Sequence, residues 1–176
     1  MQINIEIKAR CHDREAMKSR LLELGADYAG LDQQQDIYFQ CAHGRLKLRS
    51  GNIENSLIFY DRDNSNNPKK SLVSFHNPSP GHNLQEIMTR ALDVLVSVNK
   101  KRMIFFLENS KFHLDEVEGL GEFVEIEVID DTGLIAEEKL RSQCHKYLQL
   151  LGIQPEDLLS SSYSDMLINM KNGNNQ

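Results

Sequence analysis

Charged residues recur two positions apart in four segments of the sequence that are typical of β-strands. The pairs are Glu6 with Lys8, Lys47 with Arg49, Lys100 with Arg102, and Glu125 with Glu127. Side chains at positions i and i+2 of a strand point to the same face of its sheet. Each pair therefore predicts one charged stripe: two are basic, one is acidic and one is mixed. A surface that combines carboxylates with several cations suits a polyanion that arrives with a divalent metal.

A solvated surface is the alternative explanation for any single pair, because a half-buried antiparallel strand commonly keeps its polar face in water. The same pattern on four strands, with Tyr38, Tyr60 and Arg62 near two of them, favours one shared site. The periodicity is the same whether the charged face looks outward or into a closed barrel. Both placements stay open at this point.

The composition is that of an ordinary globular domain with an acidic net charge. With 176 residues, of which 40% are hydrophobic and 26% charged, the chain is long enough to bury a core, and we expect a single domain over residues 1–176. The net charge of -6 argues against a nucleic-acid partner, because such binding needs a broad basic surface. The clustered cations still allow a local anion site.

The cysteines and the N-terminal sequence indicate where the protein works. Cys11, Cys41 and Cys144 form no CxxC motif and cannot all pair, which indicates free thiols in a reducing compartment. The first residues lack the basic and apolar regions of a signal peptide, and no apolar stretch approaches the length of a membrane span. We therefore expect a cytoplasmic protein with no membrane partner.

The histidines show no zinc-ligand spacing, so we predict surface or packing roles for them, with metal ligation less favoured.

Apolar periodicity and turn residues predict strands first, one helix midway, further strands, and helices last. Strands are predicted at residues 3–9, 35–40, 45–50, 56–62, 70–75, 98–107, 111–115 and 122–129. Helices are predicted after the N-cap Asp13, at 84–95, at 134–151 and at 163–170, with polar connections at 63–68 and 77–83. This order predicts an α+β fold with helices packed outside an antiparallel sheet or barrel. A closed barrel would remove exposed strand edges and enclose the charged stripes.

Six short motifs in a fixed order resemble a known family. They are Q-D-I-Y-F (35–39), G-R-L-K-L-R (44–49), L-I-F-Y-D-R (57–62), V-N-K-K-R (98–102), H-L-D-E-V-E-G-L-G-E-F-V-E-I-E-V (113–128), and L-G-I with S-Y-S-D-M-L (151–167). Each motif is weak alone, but the ordered set over nearly the whole chain resembles the CYTH, or triphosphate tunnel, superfamily. Within that superfamily it is most similar to the class IV adenylyl cyclase branch.

The resemblance implies an eight-stranded antiparallel closed β-barrel whose tunnel holds a triphosphate. The implied phosphate ligands are Lys8, Lys47, Arg49, Arg62, Lys100 and Arg102. The implied ligands for Mg²⁺ or Mn²⁺ are Glu6, Glu125 and Glu127. Catalytic roles would fall to Lys8, Arg102 and Asp115, the last either near the metal or orienting a basic residue. The resemblance also implies a possible homodimer, for which the last helices offer apolar surface.

The chemistry of these side chains agrees with such roles. The planar guanidinium of arginine matches phosphate oxygens in pairs, and lysine adds a mobile point charge. Mg²⁺ prefers one or two carboxylates together with substrate phosphates and water. Tyr163 and Asp165, in the last motif, are predicted to cap or dock the terminal helix.

The first strand departs from the family pattern E-x-E-x-K, because Asn4 stands where the first glutamate is expected. An amide still offers an oxygen, but it supplies no negative charge and cannot act as a base. This departure makes a second metal, and any water activation that depends on it, doubtful.

Three functions follow from the resemblance. The leading prediction is an adenylyl cyclase that converts ATP to cyclic AMP and pyrophosphate. The second is a metal-dependent triphosphatase acting on tripolyphosphate or on a nucleoside or thiamine triphosphate. The third is a module that binds a triphosphate without turnover, which Asn4 makes plausible. An antiparallel domain with solvated charged strands is the least favoured explanation.

Overall fold

A computed structural model describes residues 2–62, 68–78 and 83–173 of the protein, without the side chains of Gln2, Arg62 and Lys69. The strands are β1 (Gln2–Arg10), β2 (Asp27–Phe39), β3 (Arg45–Ser50), β4 (Ser56–Arg62), β5 (Lys69–His76), β6 (Val94–Leu107), β7 (Ser110–Val117), β8 (Gly121–Asp130) and the short β9 (Leu158–Leu159). The helices are α1 (Arg14–Glu23), α2 (Leu84–Ala91), α3 (Glu137–Leu151) and α4 (Tyr163–Gly173). The predicted connections at 63–68 and 77–83 lie outside the described residues, except for Pro68, Asn77, Pro78 and Asn83.

The strands form one sheet that closes on itself. All pairs are antiparallel, and neighbouring strands follow the order β5–β4–β3–β2–β6–β7–β8–β1. Residues 2–6 of β1 also pair with β5, so these eight strands form a ring, and β9 pairs with β1 at Lys8 and Ala9. The prediction of an eight-stranded antiparallel sheet that closes into a tunnel, with helices around it, is confirmed.

The alternation of apolar and charged residues along the strands decides which face of the sheet lines the inside of the ring. Ile5 on β1 and Ile126 on β8 belong to a buried apolar cluster that includes Leu140 of α3. Lys8 and Glu125 occupy the alternate positions and line the cavity inside the ring. The charged stripes therefore face inward, which decides between the two placements that periodicity left open.

Strand β2 is longer than predicted. It begins at Asp27 rather than at residue 35, and its polar first half pairs with β6 from Asp27 opposite Phe106 onward. A register shift lies between Tyr28 and Gly30, where Gly30 has φ of +136°. This segment carries few apolar residues, so its pairing depends on the long partner strand rather than on a hydrophobic pattern of its own.

The same pairing shortens the middle helix. Helix α2 ends at Ala91, and β6 begins at Val94 and continues to Leu107, although a helix was predicted through residue 95. The valines at the start of β6 favour a strand, and β2 supplies a full-length partner for it. Sheet pairing therefore overrides the helical periodicity of residues 92–95.

The predicted start of α1 and the predicted end of α3 agree with the structure. The carboxylate of Asp13 caps α1 by accepting the N–H of Ala16 at 2.9 Å. Helix α3 starts at Glu137, three residues later than predicted, and ends at Leu151, followed by the cap residue Gly152, whose φ of 68° lies in the left-handed region. Cys11, Cys41 and Cys144 are free, as predicted.

Candidate functional site

The cavity inside the ring has a volume of about 710 Å³. Eight of the residues predicted to form a site line it: Glu6, Lys8, Lys47, Arg49, Lys100, Arg102, Glu125 and Glu127. Asp115 lies fully buried behind Arg102. Arg62 ends β4, but its side chain is outside the part of the chain that the structure describes. The strands thus bring together residues that are up to 121 positions apart, from Glu6 to Glu127.

One half of the cavity is organised around a buried carboxylate, and we name Asp36, Lys47, Arg49 and Lys100 the Asp36 group. Asp36 accepts Nε of Arg49 at 2.8 Å and a terminal guanidinium nitrogen at 2.9 Å. It also accepts the ammonium groups of Lys47 at 3.0 Å and Lys100 at 2.8 Å. Burial acts to raise the pKa of Asp36, but the charges of Arg49, Lys100 and Lys47 lower it well below its ordinary value. Asp36 therefore stays ionised and holds three cations at the cavity wall.

Lys100 is the cation of the Asp36 group whose pKa is lowered. Burial lowers its pKa to about 7, against the opposing effect of Asp36, and the positive charges of Arg49 and Arg102 lower it further. The ammonium of Lys100 is therefore close to its titration point at neutral pH. A bound polyanion would favour the charged form.

A second carboxylate, that of the partly buried Glu54, extends this basic wall. Glu54 accepts Arg49 at 2.8 Å and Lys111 at 2.6 Å. Its backbone N–H donates to Asp32 at 2.9 Å, and Gly51 lies so close to Asp32 that a Cβ would approach the carboxylate to 2.6 Å. Burial acts to raise the pKa of Glu54, but the charges of Arg49 and Lys111 lower it far below its ordinary value. The turn between β3 and β4 is thus built to place Glu54 in the cavity.

The sequence analysis did not predict Glu54 or Lys111 as site residues. Glu54 lies in a turn, where strand periodicity carries no information. Lys111 lies two residues before His113 and four before Asp115 on β7. The charged alternation of those three positions was a signal that the sequence offered.

Arg102 is held in place by buried partners. Its Nε donates to Asp115 at 2.7 Å, and it also donates to Glu125. The hydroxyl of Tyr163 donates to Asp115 at 2.8 Å. These contacts are those of a carboxylate that orients a basic residue, which is one of the two roles predicted for Asp115.

The other half of the cavity carries the carboxylates of Glu125 and Glu127 beside two cations, Lys8 and Arg102. We name these four residues, with the buried His113 next to them, the Glu125 group. Glu125 accepts hydrogen bonds from Lys8 and Arg102. Burial acts to raise the pKa of Glu125, but the charges of Lys8 and Arg102 lower it well below its ordinary value. Nδ1 of His113 lies 3.4 Å from Glu125 and 4.0 Å from Glu127, and one ligand atom from each of the three lies within 4.8 Å of the others.

The donor set of this half fits a divalent cation. Carboxylate oxygens are preferred ligands of Mg²⁺ and Mn²⁺, and two of them occur on one strand. Glu6 pairs in register with Glu127 across β1 and β8 and lines the same cavity. Glu6, Glu125 and Glu127 would hold the cation that the sequence predicts.

The CYTH domain family matches residues 2–163. This chain belongs to the CYTH domain family. Among solved structures it is similar to the PH1012 protein of Pyrococcus horikoshii OT3, at 27% identity, a TM-score of 0.73, and coverage of 92% of this chain and 98% of that one. A comparison with curated proteins gave no match.

Two more distant CYTH-like structures share the fold. A candidate adenylate cyclase of Vibrio parahaemolyticus is 18% identical, with a TM-score of 0.74 and coverage of 94% of this chain and 98% of that one. A candidate adenylyl cyclase of Hippeastrum, described as having a dominant triphosphatase activity, is 14% identical, with a TM-score of 0.62 and coverage of 97% and 96%. At these identities the likeness concerns the fold.

The last helix of this CYTH protein covers part of the cavity. Tyr163 lines it, and Nζ of Lys8 lies 3.3 Å from the centroid of the Tyr163 ring. Asp165 accepts the N–H of Ser162 at 3.1 Å and Arg45 at 2.9 Å. These contacts confirm the prediction that Tyr163 and Asp165 cap and dock the helix, and they add Tyr163 to the cavity wall.

Asn4, the departure from the family pattern, also lines the cavity and is buried. It precedes Glu6 by two residues on the inward face of β1, so a carboxylate at this position would reach the same space.

None of the helices in the described part of the chain has the length and apolar character that a membrane span requires.

Proposed function

We propose that this CYTH protein is a metal-dependent enzyme acting on triphosphates, and that its reaction is the conversion of ATP to cyclic AMP and pyrophosphate. The observation that carries the proposal is the division of one cavity into a wall rich in cations and a wall rich in carboxylates. Such a division suits a triphosphate and its divalent cation bound side by side. ATP is the proposed substrate, and a homodimer is the proposed assembly.

The cations of both halves of the cavity would bind and orient the triphosphate. Lys8, Lys47, Arg49, Lys100 and Arg102 all line the cavity, and Arg62 is proposed to join them. Their present partners are carboxylates, whose oxygens resemble those of a phosphate in charge and geometry. The cationic side chains are therefore already oriented, which reduces the entropy cost of ordering them when the substrate binds.

The reaction needs little chemistry from the protein beyond position and charge. The ribose 3′-oxygen forms a bond to the α-phosphorus, the bond from that phosphorus to the bridging oxygen breaks, pyrophosphate leaves with the electron pair, and the hydroxyl proton is released. Arg102 and Lys8 are proposed to stabilise charge on the reacting phosphoryl groups. A divalent cation on Glu6, Glu125 and Glu127 would supply further neutralisation of that charge.

Two features favour a nucleotide and cyclisation. The cavity is also lined by Ile53, Phe75 and Phe106, which offer apolar surface for a base. Asn4 removes a carboxylate that could help to activate water, whereas cyclisation uses a nucleophile that the substrate already carries.

Hydrolysis of a triphosphate is the second candidate. It is favoured by the pairing of Glu6 with Glu127, because these two carboxylates could orient a water although residue 4 is an asparagine. Binding without turnover is the remaining alternative.

The test is to identify products from ATP, GTP and tripolyphosphate, each with Mg²⁺ or Mn²⁺. We expect cyclic AMP and pyrophosphate from ATP. Orthophosphate as the main product would show a triphosphatase, and tight binding without products would show a binding module.

A further inference from the structure

We propose that His113 is a nitrogen ligand of the divalent cation, together with Glu125 and Glu127, and that it makes the site prefer Mn²⁺ over Mg²⁺. This inference rests on the proposed function, because the cation is the one that would accompany the triphosphate. It goes further by naming a nitrogen ligand in addition to the predicted carboxylates.

His113 is buried without an evident structural reason for its polarity. It lies on β7 directly opposite Glu125 of β8, and only 1% of it is exposed. Among the described residues, Nε2 has no hydrogen-bond partner, and Nδ1 has only the long contact with Glu125 at 3.4 Å. Buried polar atoms nearly always have partners, so an imidazole with so little hydrogen bonding requires an explanation.

The position of the ring fits metal ligation. Nδ1 faces Glu125 at 3.4 Å and Glu127 at 4.0 Å. A six-coordinate cation with bonds of about 2.1 Å holds neighbouring ligand atoms about 3 Å apart. The three ligand atoms therefore need only a small closure to share one ion.

A plain ion pair with Glu125 explains the position less well. Glu125 already accepts hydrogen bonds from Lys8 and Arg102. A neutral Nδ1–H at 3.4 Å from a carboxylate that already has two donors makes only a weak hydrogen bond, whereas the lone pair of the same nitrogen can bind a cation.

The type of donor atom, nitrogen or oxygen, decides whether the site prefers Mn²⁺ or Mg²⁺. Mg²⁺ takes oxygen ligands and keeps its water, whereas Mn²⁺, the first member of the transition-metal affinity series, binds mixed nitrogen and oxygen donor sets as well as oxygen ligands. Replacing one oxygen ligand by nitrogen therefore favours Mn²⁺ in this site.

The experiment is pulsed electron paramagnetic resonance, as spin-echo envelope modulation, of Mn²⁺ bound to the unmodified protein. A methylene-bridged triphosphate is added because it contains no nitrogen. Protein is prepared once with natural histidine and once with ¹⁵N-histidine. We expect modulation from a directly bonded ¹⁴N nucleus, replaced by that of ¹⁵N in the labelled protein. This comparison needs no mutation, so it does not depend on how a variant folds.

The variant His113→Gln should lose the signal, and the exposed control His145→Gln should keep it. By calorimetric competition, the ratio of Mn²⁺ to Mg²⁺ affinity should fall roughly tenfold or more in His113→Gln, since even removing an outer partner of a metal ligand costs 10–100-fold in affinity. Bound Mn²⁺ without histidine coupling would overturn this inference and leave the proposed function standing. No Mn²⁺ binding at all would overturn both.

Discussion

The Asp36 group and the Glu125 group carry different charge ratios. In the first, three cations converge on one buried carboxylate. In the second, two carboxylates face two cations: Glu125 holds Lys8 and Arg102, while Glu127 and His113 lie beside it. The excess of positive charge in the first group favours an anion, and the higher share of carboxylate oxygens in the second suits a divalent cation.

The two groups also show how a cavity can keep its charges buried before a ligand binds. An isolated buried charge is costly, so each cation here is paired with a carboxylate of the protein itself. Asp36 and Asp115 are almost fully buried and hold arginines in fixed orientations. A bound triphosphate would add contacts to cations whose positions are already set.

The largest expected effect concerns the acidic wall. Glu127→Gln should abolish metal-dependent turnover, because it removes the charge that would bind the cation while keeping the side chain's size. The exposed control Glu138→Gln should leave turnover unchanged and shift stability by no more than about 0.5 kcal/mol. Rates measured across a range of Mg²⁺ and Mn²⁺ concentrations check this. A folded Glu127→Gln protein with unchanged metal dependence would show that the acidic wall does not bind the metal.

The next effect concerns the basic wall. Arg49→Ala should weaken triphosphate binding by about 1.5–3 kcal/mol, since a charge-assisted contact in a buried site is lost. Binding of a monophosphate should weaken less, because it spans fewer cations. Lys101→Ala, at an exposed position on β6, is the matched control. Calorimetric titration with both ligands provides the comparison, and equal triphosphate affinity of Arg49→Ala and the parent would contradict the model.

A moderate pH effect should arise within the Asp36 group. The pKa of Lys100 is about 7 in the free protein, so this ammonium loses its proton as the pH rises through that value. Affinity for ATP should therefore fall between pH 7.5 and 9, with proton uptake on binding. The measurement uses EDTA to prevent turnover.

Lys100→Met has no group that titrates at this position, so its binding profile should be flatter and its affinity lower. Parallel profiles of the parent and Lys100→Met would assign the pH dependence to another group.

The smallest effect concerns Asn4, which lines the cavity on β1 two residues before Glu6. Asn4→Glu should raise tripolyphosphate hydrolysis several-fold, because a carboxylate there could help to hold a second cation and polarise a water. Cyclic AMP formation should change less. Asn169→Glu on the exposed face of α4 serves as the control. Vigorous hydrolysis by the unmodified protein, or no gain in the folded variant, would count against the role given to position 4.

The sequence predicts the parts of the site that lie on regular strands. The stripes on β1, β3, β6 and β8 follow from the two-residue period, and the inward direction follows once the ring closes. Glu54 was missed because a turn has no period, and its place depends on Asp32 holding the backbone. The first half of β2 was missed because its polar residues become a strand only through pairing with β6.

The burial of His113 agrees with the packing role expected of the histidines, and its proposed role as a ligand goes beyond that expectation. It lies on the same face of β7 as Lys111 and Asp115, so the period was present in the sequence. The expectation that the histidines serve surface or packing roles rested on their spacing from one another. A ligand set that combines one histidine with carboxylates of the neighbouring strand leaves no such spacing.

The most direct test of the central claim is a ³¹P NMR time course of ATP with the unmodified protein and Mg²⁺, repeated with Glu127→Gln. We predict that the three ATP signals give way to those of cyclic AMP and pyrophosphate, and that the variant leaves ATP intact. Accumulation of ADP and orthophosphate, or an unchanged ATP spectrum with the unmodified protein, would contradict the proposed cyclisation.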